Sequence, residues 1–221
     1  MLSDDTRAVR DRFDARAASY DETAMHRDLA AEVARFVELA DATHVLDIAT
    51  GTGLVLRALR ERGMDAHVEL TGVDLSPGML AVARSHLPDV TLVNADARRL
   101  PLDDDSVDLV VCVTGLHLIP EPELVFDEWT RVLRPGGHAV TATYSTFDPT
   151  RHHREAPARD PLPYALDHTP FATPAALSRT AGSRFRLRRH TTWSDGHDVI
   201  LIADLEHRPT LSPGDAPPAE S

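Results

Sequence analysis

The sequence has little of several residue types, and each shortage narrows what the chain can be. It contains one cysteine in 221 residues, which excludes an internal disulfide and favours a reducing compartment such as the cytoplasm. No apolar run approaches the roughly 18 residues that a membrane-spanning helix needs. The first residues are acidic and do not resemble a secretory signal. We therefore expect a cytoplasmic protein that does not associate with membranes.

Basic residues are also outnumbered. The chain has 23 Lys and Arg against 35 Asp and Glu, which leaves a formal net charge of −12. Contacts to a phosphate backbone need clustered cations, so this balance argues against a nucleic-acid partner. A hydrophobic content of 42% is enough for the core of one domain. The single Cys112 lies in an apolar run, where cysteine is typically a small core residue rather than a catalytic thiol.

Short β-rich runs alternate with helix-length segments in the middle of the chain. This alternation is typical of a parallel sheet covered by helices on both faces. Ser76 is the predicted cap of one of these helices, with Pro77 at its first position. The predicted strands are 45–48, 68–73, 90–93, 107–113 and 139–143, and the predicted helices are 53–62, 77–87 and 122–133, the last closed by residues 134–137.

The two flanks of this region differ from it in character. Residues 7–40 have helical periodicity with a break near 18–21. Residues 145–170 contain five prolines, which predicts a long loop with some helix. Strands at 185–192 and 199–203 should form a hairpin. We predict one domain over 1–208, made of a helical cap (1–40), a core (41–144), a variable substrate or lid segment (145–182) and the hairpin (183–208), followed by a disordered tail (209–221).

A glycine-containing turn follows the first predicted strand directly, in the run Ala49-Thr50-Gly51-Thr52-Gly53. Glycine is needed where the chain turns sharply and where backbone lies against a ligand. Amides at the start of the next helix can face a polar or anionic group. A tight structural turn alone would also explain the run. A dinucleotide site would place a third glycine at the position of Leu56, so a nucleoside-type ligand is favoured.

Acidic residues end the neighbouring predicted strands. Asp74 closes the second strand, and Asp96 comes just after the third. A carboxylate at such a position can accept the hydroxyl hydrogens of a ribose. Together with Asp47 in the first strand, these acids mark the edge at which open α/β sheets bind ligands.

In this order and spacing, the motifs resemble the cofactor domain of class I S-adenosylmethionine-dependent methyltransferases, particularly the small-molecule group that includes quinone-biosynthetic enzymes. The likeness runs from Val45 to Thr143 and extends to the early Arg12-Phe13-Asp14 and Tyr20-Asp21. It implies a Rossmann-like, doubly wound α/β fold with a mostly parallel seven-stranded sheet and a C-terminal antiparallel hairpin. It also implies S-adenosylmethionine as cofactor and S-adenosylhomocysteine as product.

The resemblance assigns residues to the methionine and ribose parts of the cofactor. Asp47 and the backbone of Ala49, Gly51 and Gly53 would hold the methionine part. Val113 would offer its carbonyl near the methionine amino group, and Tyr20 would close over the site. Asp74 would accept from the ribose hydroxyls.

The adenine end has its own implied contacts. Asp96 would accept from the exocyclic amine, beside the backbone amide of Ala97. Leu75 and Met79 would pack on the ring, although core packing alone would also explain both.

Methyl transfer from a sulfonium is an in-line displacement that needs alignment and exclusion of water rather than a metal. A general base helps when the acceptor is a hydroxyl or a protonated amine. His117, just after the fourth strand, is the candidate base, with a structural hydrogen-bonded histidine as the alternative. His152, His153 and His168 lack the spacing of a zinc site, so no metal is expected.

The sequence thus favours methyl transfer to an oxygen, nitrogen or carbon of a small molecule, by a monomer or homodimer. Methylation of tRNA or protein, a nicotinamide-dependent oxidoreductase and a silent S-adenosylmethionine-binding regulator are the alternatives. The oxidoreductase is disfavoured by Leu56. The arginines around the predicted strand 185–192 are interpreted as an exposed polar face; they are Arg184, Arg186, Arg188 and Arg189.

Overall fold

The computed structural model describes residues 3–39, 42–147 and 166–208. Its helices are α1 (Asp4–Arg16), α2 (Ala24–Phe36), α3 (Leu54–Glu61), α4 (Pro77–His86), α5 (Pro122–Val132) and α6 (Pro174–Ala181). Its strands are β1 (His44–Ile48), β2 (Glu69–Asp74), β3 (Thr91–Asn94), β4 (Val107–Val113), β5 (Leu133–Thr146), β6 (Phe185–Ser194) and β7 (Val199–His207). Most of the predicted variable loop and the predicted tail lie outside the described residues.

The strands form one seven-stranded sheet in the order β3-β2-β1-β4-β5-β7-β6. The first five are parallel, whereas β7 runs antiparallel to both β5 and β6. The predicted Rossmann-like fold with a C-terminal hairpin is confirmed. Strand order reverses between β1 and β4, and a crevice opens at such a point beyond the carboxyl ends of the strands.

Helices bury both faces of the sheet. Val45 of β1 packs in a cluster with α2 and α3, while its neighbour Leu46 packs on the other face with α5 and α6. Since both faces are covered, β4 can be apolar almost throughout. Cys112 of β4 is fully buried, and burial raises the pKa of its thiol. The interpretation of Cys112 as a core residue is confirmed.

The predicted amino-terminal helical region is divided into two helices. A 3₁₀ segment, Ala17–Glu22, separates α1 from α2 and coincides with the predicted break. Ser3 caps α1 by accepting the backbone N–H of Thr6 at 3.2 Å. The break turns the chain so that α1 contacts α4 while α2 contacts α3.

The prediction that residues 134–137 close the preceding helix is wrong. α5 ends at Val132, and β5 begins at Leu133, which pairs with Val107. The next pair is His138 with Leu109, so four residues stand opposite the single Asp108. This segment is a bulge within a strand, in which Gly136 has φ +80°. β5 is longer than predicted because β4 and β7 pair with it on its two sides.

The interpretation of the arginines near β6 as an exposed polar face is also incomplete. Arg188 and Arg189 both reach Asp204 of β7, at 3.0 and 3.2 Å. Asp204 is 1% exposed, so these arginines neutralise a buried charge. A register shift between Leu187 and Arg189 lets two consecutive residues reach the same carboxylate.

Within the described ranges, no helix combines the length and the apolar character needed to cross a bilayer. In the same ranges, no group of three or more His, Cys, Asp or Glu side chains is placed to hold a metal ion.

Candidate cofactor-binding site

A cavity of about 760 Å³, the first cavity, opens at the carboxyl ends of β1, β2 and β4. Its walls are mainly apolar, and α1 contributes Val9 and Phe13 from above. Asp74 and Asp96 both line it, so the two acids predicted to share one site do so. The other predicted cofactor residues that line it are Tyr20, Ala49, Gly51, Leu75, Met79, Ala97 and Val113.

A second cavity, of about 410 Å³, lies on the other side of the turn after β1. Asp47, Thr52 and His26 line it. The two cavities share Tyr20, Ala49, Gly51, Val113 and Thr114 in their walls. They are therefore adjoining compartments arranged around one strand-to-helix turn.

The turn itself has the backbone that its glycines predict. Gly51 and Gly53 have φ of +57° and +80°. A Cβ on Gly51 would meet no protein atom within 4 Å and would project into open space, which a ligand can use. Gly53, which is predicted to contact the cofactor, lines neither cavity. A Cβ there would lie 2.7 Å from Leu87 Cδ1, so Gly53 permits the turn and close packing instead.

Asp74 organises the junction between the two loops. Its carboxylate accepts the backbone N–H of Gly51 and that of Ser76, both at 2.8 Å. Burial raises the pKa of Asp74 in spite of these hydrogen bonds. A carboxylate has about four acceptor sites, so Asp74 retains capacity for a ligand hydroxyl. Ser76 caps α4 as predicted, accepting from the Met79 amide at 3.0 Å.

Asp96 is held by a cation that was not predicted from the sequence. Arg98 lines the same cavity and pairs with Asp96 at 2.7 Å. Burial acts to raise the pKa of Asp96, but hydrogen bonds from the Arg98 side chain and backbone lower it overall. Asp96 is therefore an ionised acceptor of fixed orientation. The only sequence feature that indicated this pair is that Arg98 follows Asp96 by two residues.

Asp47 is in the opposite electrostatic situation. It is 1% exposed and accepts a hydrogen bond from Thr50 Oγ1 at 2.7 Å. Burial raises its pKa to about 7. A buried acid beside a cavity can become ionised when a cationic ligand group binds next to it. Asp47 thus suits an ammonium group in the second cavity.

The amino-terminal segment covers the first cavity and is attached by two carboxylates. Asp14 Oδ1 accepts from the Gly78 amide at 2.7 Å and from Ser76 Oγ at 2.5 Å. Asp21 accepts from Thr52 and pairs with Arg57. Both acids fall in the early part of the family motif, but their partners are distant in sequence and were not predicted.

Tyr20 lies between these two attachment points and lines both cavities. Burial raises its pKa to about 12, so the phenol is neutral.

His117, the candidate base, lines neither cavity. It lies in a 3₁₀ turn, Leu116–Leu118, and its ring centroid is 5.3 Å from that of Tyr144 and 4.5 Å from that of His168. Phe147 stacks near His168, with centroids 4.7 Å apart. These four rings form an aromatic cluster on the β4–β5 side of the cavities. His152 and His153 lie outside the described residues.

Comparison with known proteins assigns part of the chain to a family. Residues 46–141 match the family model of a methyltransferase domain. This segment is a methyltransferase domain of the class I, S-adenosylmethionine-dependent type. The resemblance inferred from the motifs is confirmed, and S-adenosylmethionine is the cofactor of this domain type.

Two curated relatives have specific names. The chain is 41% identical over 143 residues to a demethylmenaquinone methyltransferase of Clavibacter sepedonicus, covering 61% of this chain and 57% of that protein. It is 39% identical over 143 residues to a malonyl-[acyl-carrier protein] O-methyltransferase of Marinomonas sp. (strain MWYL1), covering 63% and 52%. The chain thus spans little more than half the length of these relatives.

A solved structure supports the fold. A S-adenosylmethionine-dependent methyltransferase from Aquifex aeolicus superposes with a TM-score of 0.60 at 19% identity, covering 79% of this chain and 88% of that one. At this identity the likeness concerns the fold alone.

The residues of the methyltransferase domain fit the cofactor. The first cavity combines a buried acceptor for hydroxyls, Asp74, with apolar walls for a purine. The second cavity carries the buried acid Asp47 for an ammonium group. Gly51 leaves open space at the point where the two compartments meet.

Proposed function

We propose that the chain transfers a methyl group from S-adenosylmethionine to an oxygen, nitrogen or carbon of a small-molecule acceptor. One observation carries the proposal: two adjoining cavities place Asp74 and Asp47 in separate compartments around one glycine turn. We assign the compartment with Asp74 to the ribose end of the cofactor and the compartment with Asp47 to its amino-acid end. When bound, the cofactor supplies a methyl group on a positively charged sulfur.

The chain's own residues bind and orient the cofactor, and they exclude water from the site. Asp74 accepts from the ribose hydroxyls, and Asp96 accepts from the adenine amine. Tyr20 and α1 shield the site from solvent, which favours a displacement reaction between aligned groups. Val113 and Thr114 line both cavities and so border the position where the reacting centre falls. The in-line course follows from the chemistry of the sulfonium.

The acceptor is proposed to approach from the β4–β5 side. The aromatic cluster of His117, Tyr144, Phe147 and His168 lies there, directly after the strand that ends at Val113. Such rings pack well against planar or apolar groups. The names of the two curated relatives, which concern a quinone precursor and a carrier-bound acid, agree with an acceptor that is not a nucleic acid.

Calorimetry with S-adenosylmethionine, S-adenosylhomocysteine and NAD tests the donor. We expect both adenosyl compounds to bind and NAD not to bind. Asp74→Ala should weaken the binding of S-adenosylhomocysteine about ten- to hundredfold. This is the free energy that hydrogen bonds to a charged acceptor usually contribute. Asp108→Ala, which removes an acid at the opposite edge, is the matched control and should leave affinity unchanged. Binding of NAD alone would end the proposal.

Incubation of host extracts with isotopically labelled donor tests the acceptor. The expected result is label in a low-molecular-weight product. Label in tRNA or protein would replace the small-molecule assignment. Tight donor binding without any labelled product would indicate a silent binding protein.

His117→Ala tests the proposed base. It should lower kcat by about a hundredfold, within the usual contribution of general-base catalysis, and leave the Kd for S-adenosylhomocysteine unchanged. His67→Ala, at an exposed position, is the control. Full activity of the His117 variant would remove His117 from the mechanism and leave its ring as a packing element of the aromatic cluster.

A further inference from the structure

The second cavity must accommodate a zwitterion if the proposed function is correct. The amino-acid end of S-adenosylmethionine carries an ammonium and a carboxylate. Asp47 can balance only the charge of the ammonium. A carboxylate that leaves water needs hydrogen-bond donors or a cation nearby. The question is which group of the described chain supplies them.

The polar groups of the turn already donate to acids of the chain. Thr50 Oγ1 donates to Asp47, and Thr52 Oγ1 donates to Asp21. The Gly51 amide donates to Asp74. The side chains and the amide that the turn presents to the second cavity are therefore poor candidates for binding an anion.

His26 is the basic side chain among the described residues that line the second cavity. It lies in the first turn of α2, and its ring stacks on that of Tyr20, with centroids 4.2 Å apart and planes 13° from parallel. Its Nδ1 is 3.3 Å from the backbone oxygen of Tyr20. Because a carbonyl oxygen only accepts, Nδ1 is the donor in this contact. The stacking and this contact together set the orientation of the ring.

The surroundings of His26 favour an anion. Thr23, at the cap of α2, makes no side-chain capping hydrogen bond, and the first helical turn contains no acidic residue. The first turn of the 13-residue helix thus carries no acid of its own, and Asp21, just before the helix, is paired with Arg57. Leu29 and Ala30 of the same helix also line the cavity, so the beginning of α2 faces it.

We propose that His26 binds the α-carboxylate of the methionine part of the cofactor. The carboxylate would lie between the imidazole and the start of α2, while Asp47 takes the ammonium. Since Nδ1 donates to Tyr20, the bond to the carboxylate uses Nε2, and the ring is then an imidazolium. A zwitterion thus meets one acid and one base. The inference rests on the proposed function and extends it to a residue outside the recognised motifs.

Two ligands that differ only at this end separate the contribution of His26 from general effects. S-adenosylhomocysteine carries the amino-acid end, whereas 5′-deoxy-5′-methylthioadenosine lacks it. In calorimetry, His26→Ala should weaken S-adenosylhomocysteine about ten- to hundredfold. The same substitution should change the affinity for methylthioadenosine by no more than about twofold. His26→Gln, whose amide can donate, should recover part of the lost affinity, and His67→Ala should change neither ligand.

The outcomes are distinct. Equal losses for both ligands would show that His26 only shapes the pocket, and an unchanged affinity for S-adenosylhomocysteine would show that it does not touch the carboxylate. Either result overturns the inference but leaves the proposed function intact. If the wild-type protein binds neither ligand, the proposed function itself fails. Should His26→Ala unfold, which thermal melting would reveal, His26→Gln carries the same ligand comparison.

Discussion

Two pairs of acids in the sheet, Asp47 with Asp74 and Asp108 with Asp204, have pKa values shifted in opposite directions. At the carboxyl edge, burial raises the pKa of Asp47 to about 7 and also raises that of Asp74. Only hydrogen-bond donors from the turns oppose the burial there. Burial acts in the same direction on Asp108, near the amino end of β4, and on Asp204, within β7, but neighbouring basic side chains lower both pKa values overall.

The difference separates binding acids from structural acids. Asp204 has His138, Arg188 and Arg189 within 3.2 Å, and Asp108 pairs with Arg134 at 2.6 Å. These acids hold strands together and are fully compensated by the chain. Among the described residues, Asp47 and Asp74 have no such basic partner, and a ligand with hydroxyl and ammonium groups supplies what is missing. Uncompensated burial of acids is a physical mark of a functional site.

The largest loss of stability is expected on removal of Asp204, the most buried of the structural acids. Asp204→Ala would leave the charges of Arg188 and Arg189 without their buried partner and should lower the free energy of unfolding by about 3 kcal/mol. Urea denaturation measures it. Glu206→Ala, which breaks a more exposed pair with Arg186 on the same hairpin, is the control and should cost less than about 1 kcal/mol. A loss for Asp204→Ala as small as that of the control would contradict the assignment.

Removing the charge of Asp47, a binding acid, should raise the stability of the fold instead of lowering it. The folded pKa of Asp47, about 7, is above its unfolded value near 4, so the fold favours the protonated form. The stability that this group contributes is full below about pH 4 and is lost as the pH rises through 7. Asp47→Asn carries no charge and still accepts from Thr50. It should therefore raise the free energy of unfolding at pH 8 by about 2 kcal/mol, and flatten its pH dependence between 4 and 7.

The same Asp47→Asn variant should bind S-adenosylhomocysteine more weakly, because the ammonium loses its counter-charge. Urea titrations at several pH values and calorimetry measure the two effects. A variant that is stabilised without weaker binding would show that Asp47 does not meet the ammonium. A variant that is less stable than the wild type at pH 8 would contradict the raised pKa.

The same contrast explains what the sequence could predict. Each motif of the carboxyl edge is local: the end of a strand, a turn and the start of a helix within about ten residues. Asp74 and Asp96 could therefore be assigned to one cavity from the sequence alone. The partners of Asp204 belong to a strand pairing whose register depends on a bulge at Arg188. Asp14 meets Gly78 across 64 positions, a contact that arises only from the packing of α1 on α4.

The smallest effect on stability is expected at Asp108, whose charge is paired with Arg134 but is partly exposed to solvent. Burial opposes ionisation, but Arg134, Thr43 and the amides of Thr43 and His44 lower the pKa of Asp108 to about 2. A folded pKa below the unfolded value means that the stability contribution is present above about pH 4 and is lost as the pH falls towards 2.

Asp108→Asn should therefore cost about 1 kcal/mol at pH 7, since its side chain is 24% exposed and that of Arg134 42% exposed. The difference from the wild type should vanish near pH 2, which urea titrations at both pH values would measure. Affinity for S-adenosylhomocysteine should not change, because Asp108 lies at the opposite edge from the two cavities. If Asp108→Asn weakened ligand binding as much as Asp47→Asn does, the division into binding acids and structural acids would be wrong.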